Sequence, residues 1–403
     1  MTQTWPSWHQ LVSRSDSRRY FNIATSSPLL DLVKNAMITA LNEEPMHATP
    51  WEQTEYVVQR TRQVLSQLLG VPSETVAITT NTTQGLHLIL NGIRWMPDDE
   101  IIVSTDEHAS TIIPVFAVQK RFGLTVRLIS TNWKEPCTSQ DLIHQLETLV
   151  TPLTRLIILS HVTWNTGRIR PLDMICRWAR NRGIKTLVEG AQGIGHVDVS
   201  WLRDGDCDAY AFPGHKWLCG PPGTGALWVH PSWIEEIWPS QPGYCGIKSF
   251  AFNGAIQWQD GVKRLESSTR NITVLAGWLA VLQYLRDLGF PRITQRIYHL
   301  YAYFIRLLTN SEILSQCYWV IGDAGIVTLI PRKAWDIKQL TATLQQYGII
   351  CRHIVRPHGI RFSLHAFNTE KDIDFVIYYL LELTRSISSS SPSVIKSPLW
   401  WEE

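Results

Sequence analysis

From residue 54 to 69 the apolar positions Val57, Val64, Leu65, Leu68 and Leu69 recur at the spacing of one helix face, and Gly70 stands where a left-handed residue would end that helix. Beyond it the pattern changes. Short aliphatic and β-branched runs occur at 76–79, 101–104, 126–129, 156–160, 186–188, 209–212 and 226–229. They are too short for helices and lack polar alternation, as strands covered on both faces do. The intervals between them, 172–182 for example, carry the helical periodicity that such a cover requires. The pattern predicts a large α/β domain over 25–280.

After 280 the rhythm is different. A helical stretch at 293–308 is followed by strand-like segments at 325–330, 348–354 and 359–364 and by helices at 336–347 and 370–385. This predicts a smaller C-terminal α+β domain over 281–385, with residues 1–24 an N-terminal segment packing against it. Residues 386–403 read as a flexible Ser-rich tail that ends in Trp400 and Trp401.

Composition narrows the class. Hydrophobic residues make up 44% and charged residues 18% of the 403, which excludes disordered and collagen-like chains. Lys plus Arg is 37 against 35 for Asp plus Glu, a balance of +2 that gives no field to draw nucleic acid or a membrane surface. The longest apolar runs, 274–282 and 375–381, fall far short of the roughly 18 residues of a membrane span. The N-terminus shows no basic segment leading into an apolar stretch, so a cytoplasmic protein is expected. Seven cysteines without Cys-x-x-Cys spacing point to reduced core thiols and to no metal site.

Two segments hold candidate chemistry. In Phe212-Pro-Gly-His-Lys216-Trp a lysine follows a buried strand and is bracketed by turn residues. Either it is a solvated loop amine, or it is a desolvated amine whose lowered pKa suits a Schiff base with a carbonyl cofactor. In Thr186-Leu-Val-Glu189-Gly-Ala-Gln192 an acid ends a strand inside the sheet, where open α/β sheets bind ligands. It either steadies a helix N-terminus or keeps a pyridine ring nitrogen protonated. Thr82, Thr83 and Gln84 open a strand-to-helix turn, whose N–H groups form either a plain cap or a phosphate cup.

The chain resembles the fold-type I, pyridoxal-phosphate-dependent enzymes of aminotransferase class V, which include cysteine desulfurases and the cysteine/cystine C-S lyase. The resemblance rests on Tyr20-Phe-Asn-Ile, Thr80-Asn-Thr-Thr-Gln-Gly, Asp106-Glu-His-Ala-Ser, Ser160-His-Val-Thr-Trp-Asn-Thr-Gly, Val188-Glu-Gly-Ala-Gln, Gly214-His-Lys-Trp, Arg264-Leu-Glu-Ser-Ser-Thr and Gly359-Ile-Arg-Phe, in family order over nearly the whole chain. It implies a large domain with a mixed, mostly parallel sheet. It also implies pyridoxal 5'-phosphate as cofactor, with Lys216 forming the Schiff base and moving the α-proton. Glu189 would partner the ring nitrogen, Gln192 would donate to the ring hydroxyl with Asn165 near the same oxygen, and His108 would stack on the ring. His215 joins Thr82, Thr83 and Gln84 at the phosphate, and Thr269 would reach the phosphate of a neighbouring subunit in a homodimer with shared sites. Arg361 would grip the substrate α-carboxylate, with Asn165 beside it.

The sequence departs from the family pattern twice. Glu189 stands where the family usually has Asp, and Pro213 stands where a hydroxyl residue usually meets the phosphate. A desulfurase also needs a thiol on a loop shortly before the substrate arginine, and the short segment 352–361 has none; Cys351 is expected inside a strand. The C-S lyase branch is therefore the nearer likeness, and β-elimination from cysteine, cystine or a related sulfur conjugate is the expected reaction. Transamination, epimerisation and a non-catalytic scaffold on the same fold are the alternatives.

Overall fold

The structure, a computed structural model, describes residues 5–13, 18–43, 50–131, 138–313, 317–323, 325–332 and 336–387. The chain divides into two compact units. Residues 24–164 and 169–294 form the larger; residues up to 23, 165–168 and those from 295 onward form the smaller.

The larger unit is built on a seven-stranded sheet of β1 (Val76–Thr79), β2 (Glu100–Ser104), β3 (Thr125–Ile129), β4 (Thr154–Ser160), β5 (Lys185–Glu189), β6 (Ala209–Pro213) and β7 (Gly225–Val229). The strand order is β1-β7-β6-β5-β4-β2-β3. Only β7 runs against the rest, pairing antiparallel with β1 and β6. Every residue of β1, β2, β6 and β7 is buried, as the unbroken apolar runs require. The core joins Ile101, Val103, Leu156, Ile158, Leu187 and Leu227 to Leu86, Ile89 and Leu90 of α3. The helices that matter below are α1 (Asp31–Glu43), α2 (Pro50–Leu69), α3 (Thr82–Gly92), α4 (Ala109–Phe122), α5 (Leu172–Arg180) and α6 (Ile272–Leu288). Helix α6 packs on α1 and α2, so the boundary expected at 280 falls at 294 instead.

The smaller unit carries an antiparallel sheet of β8 (Cys317–Ile321), β9 (Ile326–Pro331), β10 (Arg352–Val355) and β11 (His358–Ser363), in the order β8-β9-β11-β10. Phe21, Phe304, Leu329, Ile360 and Phe362 fill its core with residues of the helices Ile337–Gln346 and Glu370–Ile387. The N-terminal segment belongs here. Trp8 N–H donates to Phe367 O (3.0 Å), and Arg19–Tyr20 forms a short parallel ladder with Ile349–Ile350. The strand expected over 348–354 is thus two short ones with Cys351 between them, because the first pairs with the N-terminal segment and the second with β11. Residues 165–168 also join this unit, contrary to the 25–280 expectation: Thr328 Oγ1 donates to Asn165 O at 2.7 Å and Asp323 N to Gly167 O at 3.1 Å. Of the expected tail, 388–403 lie outside the described residues. Among the described residues no helix is long and apolar enough to cross a membrane.

Candidate functional site

Parallel strands bring their C-terminal residues to one edge, so the ends of β1, β2, β4, β5 and β6 place Thr79, Ser104, Ser160, Glu189 and Pro213 along one side of the sheet. Glu189 is buried, and Oε1 accepts from Ala191 N at 3.1 Å. Loss of water pushes its carboxyl up to about 7; the Lys216 ammonium pulls it down and the Glu107 carboxylate pushes it further up. The acid and the lysine, 27 residues apart in the chain, therefore act on each other.

Lys216 is half-buried, in a turn closed at both ends. Gly214 N donates to Thr224 O, and Gly220 N to Gly214 O, each at 2.8 Å; Cys219 N donates to Lys216 O at 2.9 Å. A Cβ on Gly214 would stand 2.3 Å from Thr224 Oγ1, so only glycine lets the turn close. Next to the lysine, His215 O accepts from Ser27 N (2.7 Å), while its ring Nδ1 is buried without a hydrogen-bond partner among the described residues. Burial and the neighbouring Lys216 push its imidazole down to about 4, so the ring is neutral at pH 7.

Gln192 is buried with its amide engaged at both ends: Nε2 donates to Ala24 O and Oε1 accepts from Trp217 Nε1, each at 2.8 Å. His108 caps α4, its Nδ1 accepting from Ser110 N at 3.1 Å, and meets Trp164 edge to face with centroids 5.3 Å apart. At α3 the cap is Asn81 rather than the threonines: Asn81 Oδ1 accepts from Gln84 N (2.8 Å), and Gln84 Oε1 accepts from Thr80 N (2.8 Å). Thr82 and Thr83 are consequently the first helical residues, where N–H groups have no intrahelical acceptor. Pro213 ends β6 in register with Gly225 and offers no hydroxyl.

Sequence reading missed a buried charge network behind Glu189. Glu107 Oε1 accepts from Ser160 N (2.8 Å) and from Arg170 Nη1 (2.6 Å). The Ser160 hydroxyl donates to the other oxygen, and Arg170 also pairs with Asp106. Burial pushes Glu107 up, and Arg170 pulls it back. The signal was present, since Asp106 and Glu107 directly precede His108, but Arg170 is 63 residues away and gives no local cue.

In the smaller unit Arg361 lies on β11, only 1% exposed. Burial, with the nearby Arg352 guanidinium, pushes it down to about 9. Arg352 of β10 and Thr328 of β9 are its direct register partners, so all three side chains share one face of the sheet. Asn165 also belongs to this unit, whereas Gln192 belongs to the larger one; Nδ2 donates to Arg356 O at 2.8 Å, and Oδ1 is buried without a hydrogen-bond partner among the described residues. Thr269, in the larger unit, is exposed, its hydroxyl 2.8 Å from that of Tyr244.

A buried acid beside a half-buried amine, an unpartnered buried imidazole nitrogen and a helix N-terminus with hydroxyls suit a flat, cationic heterocycle with an anionic tail. The comparisons agree with that. The family model for aminotransferase class-V matches residues 20–376. A probable cysteine desulfurase of Xylella fastidiosa is 30% identical over 353 residues, 84% of this chain and 83% of that one. A cysteine desulfurase of Escherichia coli is 31% identical over 336 residues, covering 78% and 79%. Among solved structures, a lysine-to-alanine variant of C-DES with glycine covalently linked to the PLP cofactor superposes with a TM-score of 0.85 at 28% identity, over 94% of this chain and 99% of that one. The cystine C-S lyase C-DES in complex with its reaction product cysteine persulfide gives 0.83 at 28% identity, over 91% and 98%.

Proposed function

The chain belongs to the aminotransferase class-V family, has the fold-type I architecture and uses pyridoxal phosphate, and from that premise we propose that it is a lyase cleaving the Cβ–S bond of cystine or cysteine. The β10–β11 hairpin carries this reading. Only Arg356 and Pro357 join the two strands, which leaves no loop on which a sulfur-carrying thiol could travel. Cys351, just before the hairpin, is pushed up to about 12 by burial, far from the thiolate that sulfur transfer needs. The same hairpin sets two guanidiniums, Arg352 and Arg361, side by side, a donor array suited to a substrate with two carboxylates such as cystine.

When bound, pyridoxal phosphate supplies the sink for the electron pair released at Cα. Lys216 would anchor it and move the α-proton, and Glu189 as a carboxylate would hold the ring nitrogen's proton. Gln192 would donate to the ring oxygen, and His108 would help to hold the ring. Thr82, Thr83, Gln84 and His215 hold the phosphate, with Thr269 contributed to a second subunit in a homodimer. Arg361 would grip the α-carboxylate, with Asn165 as a further substrate-binding residue. For cystine the balance is one water consumed, with pyruvate, ammonia and cysteine persulfide formed.

Product analysis tests this. Purified enzyme given L-cystine or L-cysteine should release pyruvate, and Lys216→Ala should abolish it. L-Alanine as the main product would mean a desulfurase, and pyridoxamine or an inverted α-carbon would mean transamination or epimerisation; any of these overturns the proposal.

A further inference from the structure

The side-chain amide of Gln192 is held at both ends by groups of fixed hydrogen-bonding character. Its oxygen and nitrogen occupy nearly the same volume, so a half-turn about the last torsion exchanges donor for acceptor. Here the neighbours decide. The Trp217 indole can only donate, and it reaches Oε1 at 2.8 Å; the Ala24 carbonyl can only accept, and it takes Nε2–H at 2.8 Å. A flipped amide would set donor against donor and acceptor against acceptor, at a site with 1% exposure where burial makes the mismatch costly.

Trp217 is itself held. It is 1% exposed and stacks on the His196 ring, with centroids 3.8 Å apart and planes 5° from parallel. His196 Nδ1 lies 2.7 Å from Gln192 O, and because a carbonyl only accepts, Nδ1 carries the hydrogen. The loop of contacts closes on one residue: the Gln192 backbone fixes His196, His196 fixes the Trp217 ring plane, and Trp217 fixes the Gln192 side chain. Two N–H bonds belong to Nε2 and one is used by Ala24, so the amide keeps a second donor.

We propose that Trp217 is a positioning residue that locks Gln192 with its spare N–H, not its oxygen, as the group offered to the cofactor's ring oxygen. The proposal rests on the reading of Gln192 as the ring-oxygen donor given above. Trp217 follows Lys216 directly in the chain, so the residue that sets the amide is one peptide bond from the amine that anchors the cofactor. Its indole N–H makes the lock chemical and not only steric: phenylalanine keeps the stack and loses the donor.

The test compares Trp217→Phe, Gln192→Ala and the double variant in the holoenzyme. The readouts are the pyridoxal phosphate dissociation constant and the pH midpoint at which the bound cofactor's long-wavelength absorption bands exchange. Trp217→Phe should weaken cofactor binding about three- to tenfold, the range of one hydrogen bond, and shift the midpoint in the same direction as Gln192→Ala. In the Gln192→Ala background Trp217→Phe should add nothing to the midpoint shift. Where Trp217→Phe folds poorly, benzothienylalanine at 217 keeps the shape of the indole without its N–H and should give the same shift. If Gln192→Ala leaves the midpoint unmoved, the assignment of Gln192 itself fails. If Gln192→Ala moves it but neither replacement at 217 does, or the two shifts simply add, Trp217 only fills space and the proposal is wrong.

Discussion

Two buried carboxylates of the larger unit have opposite surroundings. Glu266 and Glu189 are 4% and 2% exposed, so burial alone does not distinguish them. Glu266 is surrounded by donors: Arg62 Nη2 at 2.7 and 3.0 Å, Ile78 N at 2.7 Å and the Arg270 guanidinium. Among the described residues Glu189 has one backbone donor, the Ala191 N–H, with the Ser160 hydroxyl as a further neutral donor, and its cationic neighbour is a lysine amine in a turn. A charge satisfied by fixed arginines is committed to holding α2 against β1. A charge stripped of water and incompletely repaid retains attraction for a cation that arrives later, as a protonated pyridine would.

The largest effect should come from breaking the satisfied carboxylate. Glu266→Ala leaves Arg62, Arg270 and the Ile78 N–H facing a void, and unfolding in denaturant should show a loss of about 3–5 kcal/mol. The activity of the fraction that remains folded should change far less. Should stability hold, the Arg62–Glu266–Arg270 cluster is not the brace its geometry describes. The second effect reverses the pattern. Glu189→Gln keeps shape and removes charge, so the rate of pyruvate release should fall about 10²–10³-fold while the variant stays folded and, without cofactor at neutral pH, is no less stable than the parent.

The third expectation concerns pH. Glu189 is raised from 4.5 to about 7 in the folded, cofactor-free protein. Between those values the native carboxyl keeps a proton that the unfolded chain has released, so the folded state binds more protons and loses stability as pH rises. The contribution is therefore complete below 4.5 and gone above about 7. Thermal melts of the apoprotein against Glu189→Gln across that window should diverge as pH increases. Parallel curves would show that Glu189 is already paired before the cofactor binds.

How much of this was readable in the chain differs by kind. The seven strands of the larger sheet lie within two residues of the runs that predicted them, because strands covered on both faces are mostly apolar, and their polar residues, such as Lys185 and Thr154, fall mainly at the ends. The candidate pair drew attention for a related reason: Glu189 ends the apolar run of β5, and Lys216 follows that of β6 by three residues. The strand Cys317–Ile321 and the hairpin Ile247–Phe250 with Ile256–Trp258 were not anticipated, since Lys248, Ser249 and Gln257 dilute the latter's pattern and its outer face is exposed. What no local pattern announces is partnership across the fold. Arg170 with Glu107, Trp217 with Gln192 and Arg352 with Arg361 arise from strand register and loop closure, which only the folded chain defines. Asn81 as the true cap of α3 was a nearer miss, one residue before the threonines singled out.

The smallest expected effect separates charge from reach at Glu189. Glu189→Asp keeps the carboxylate and withdraws it by one methylene, a loss of about 1 kcal/mol of packing at a fully buried position. If the site needs only negative charge near the ring nitrogen, cofactor affinity should drop less than about tenfold and turnover should survive, in contrast to Glu189→Gln. The surrounding donors argue for that outcome, because Ala191 N lies two residues along the same turn and can follow a shorter side chain. Equal damage from Asp and Gln, measured by cofactor titration, would mean that the longer side chain is matched to this pocket and that geometry outweighs charge.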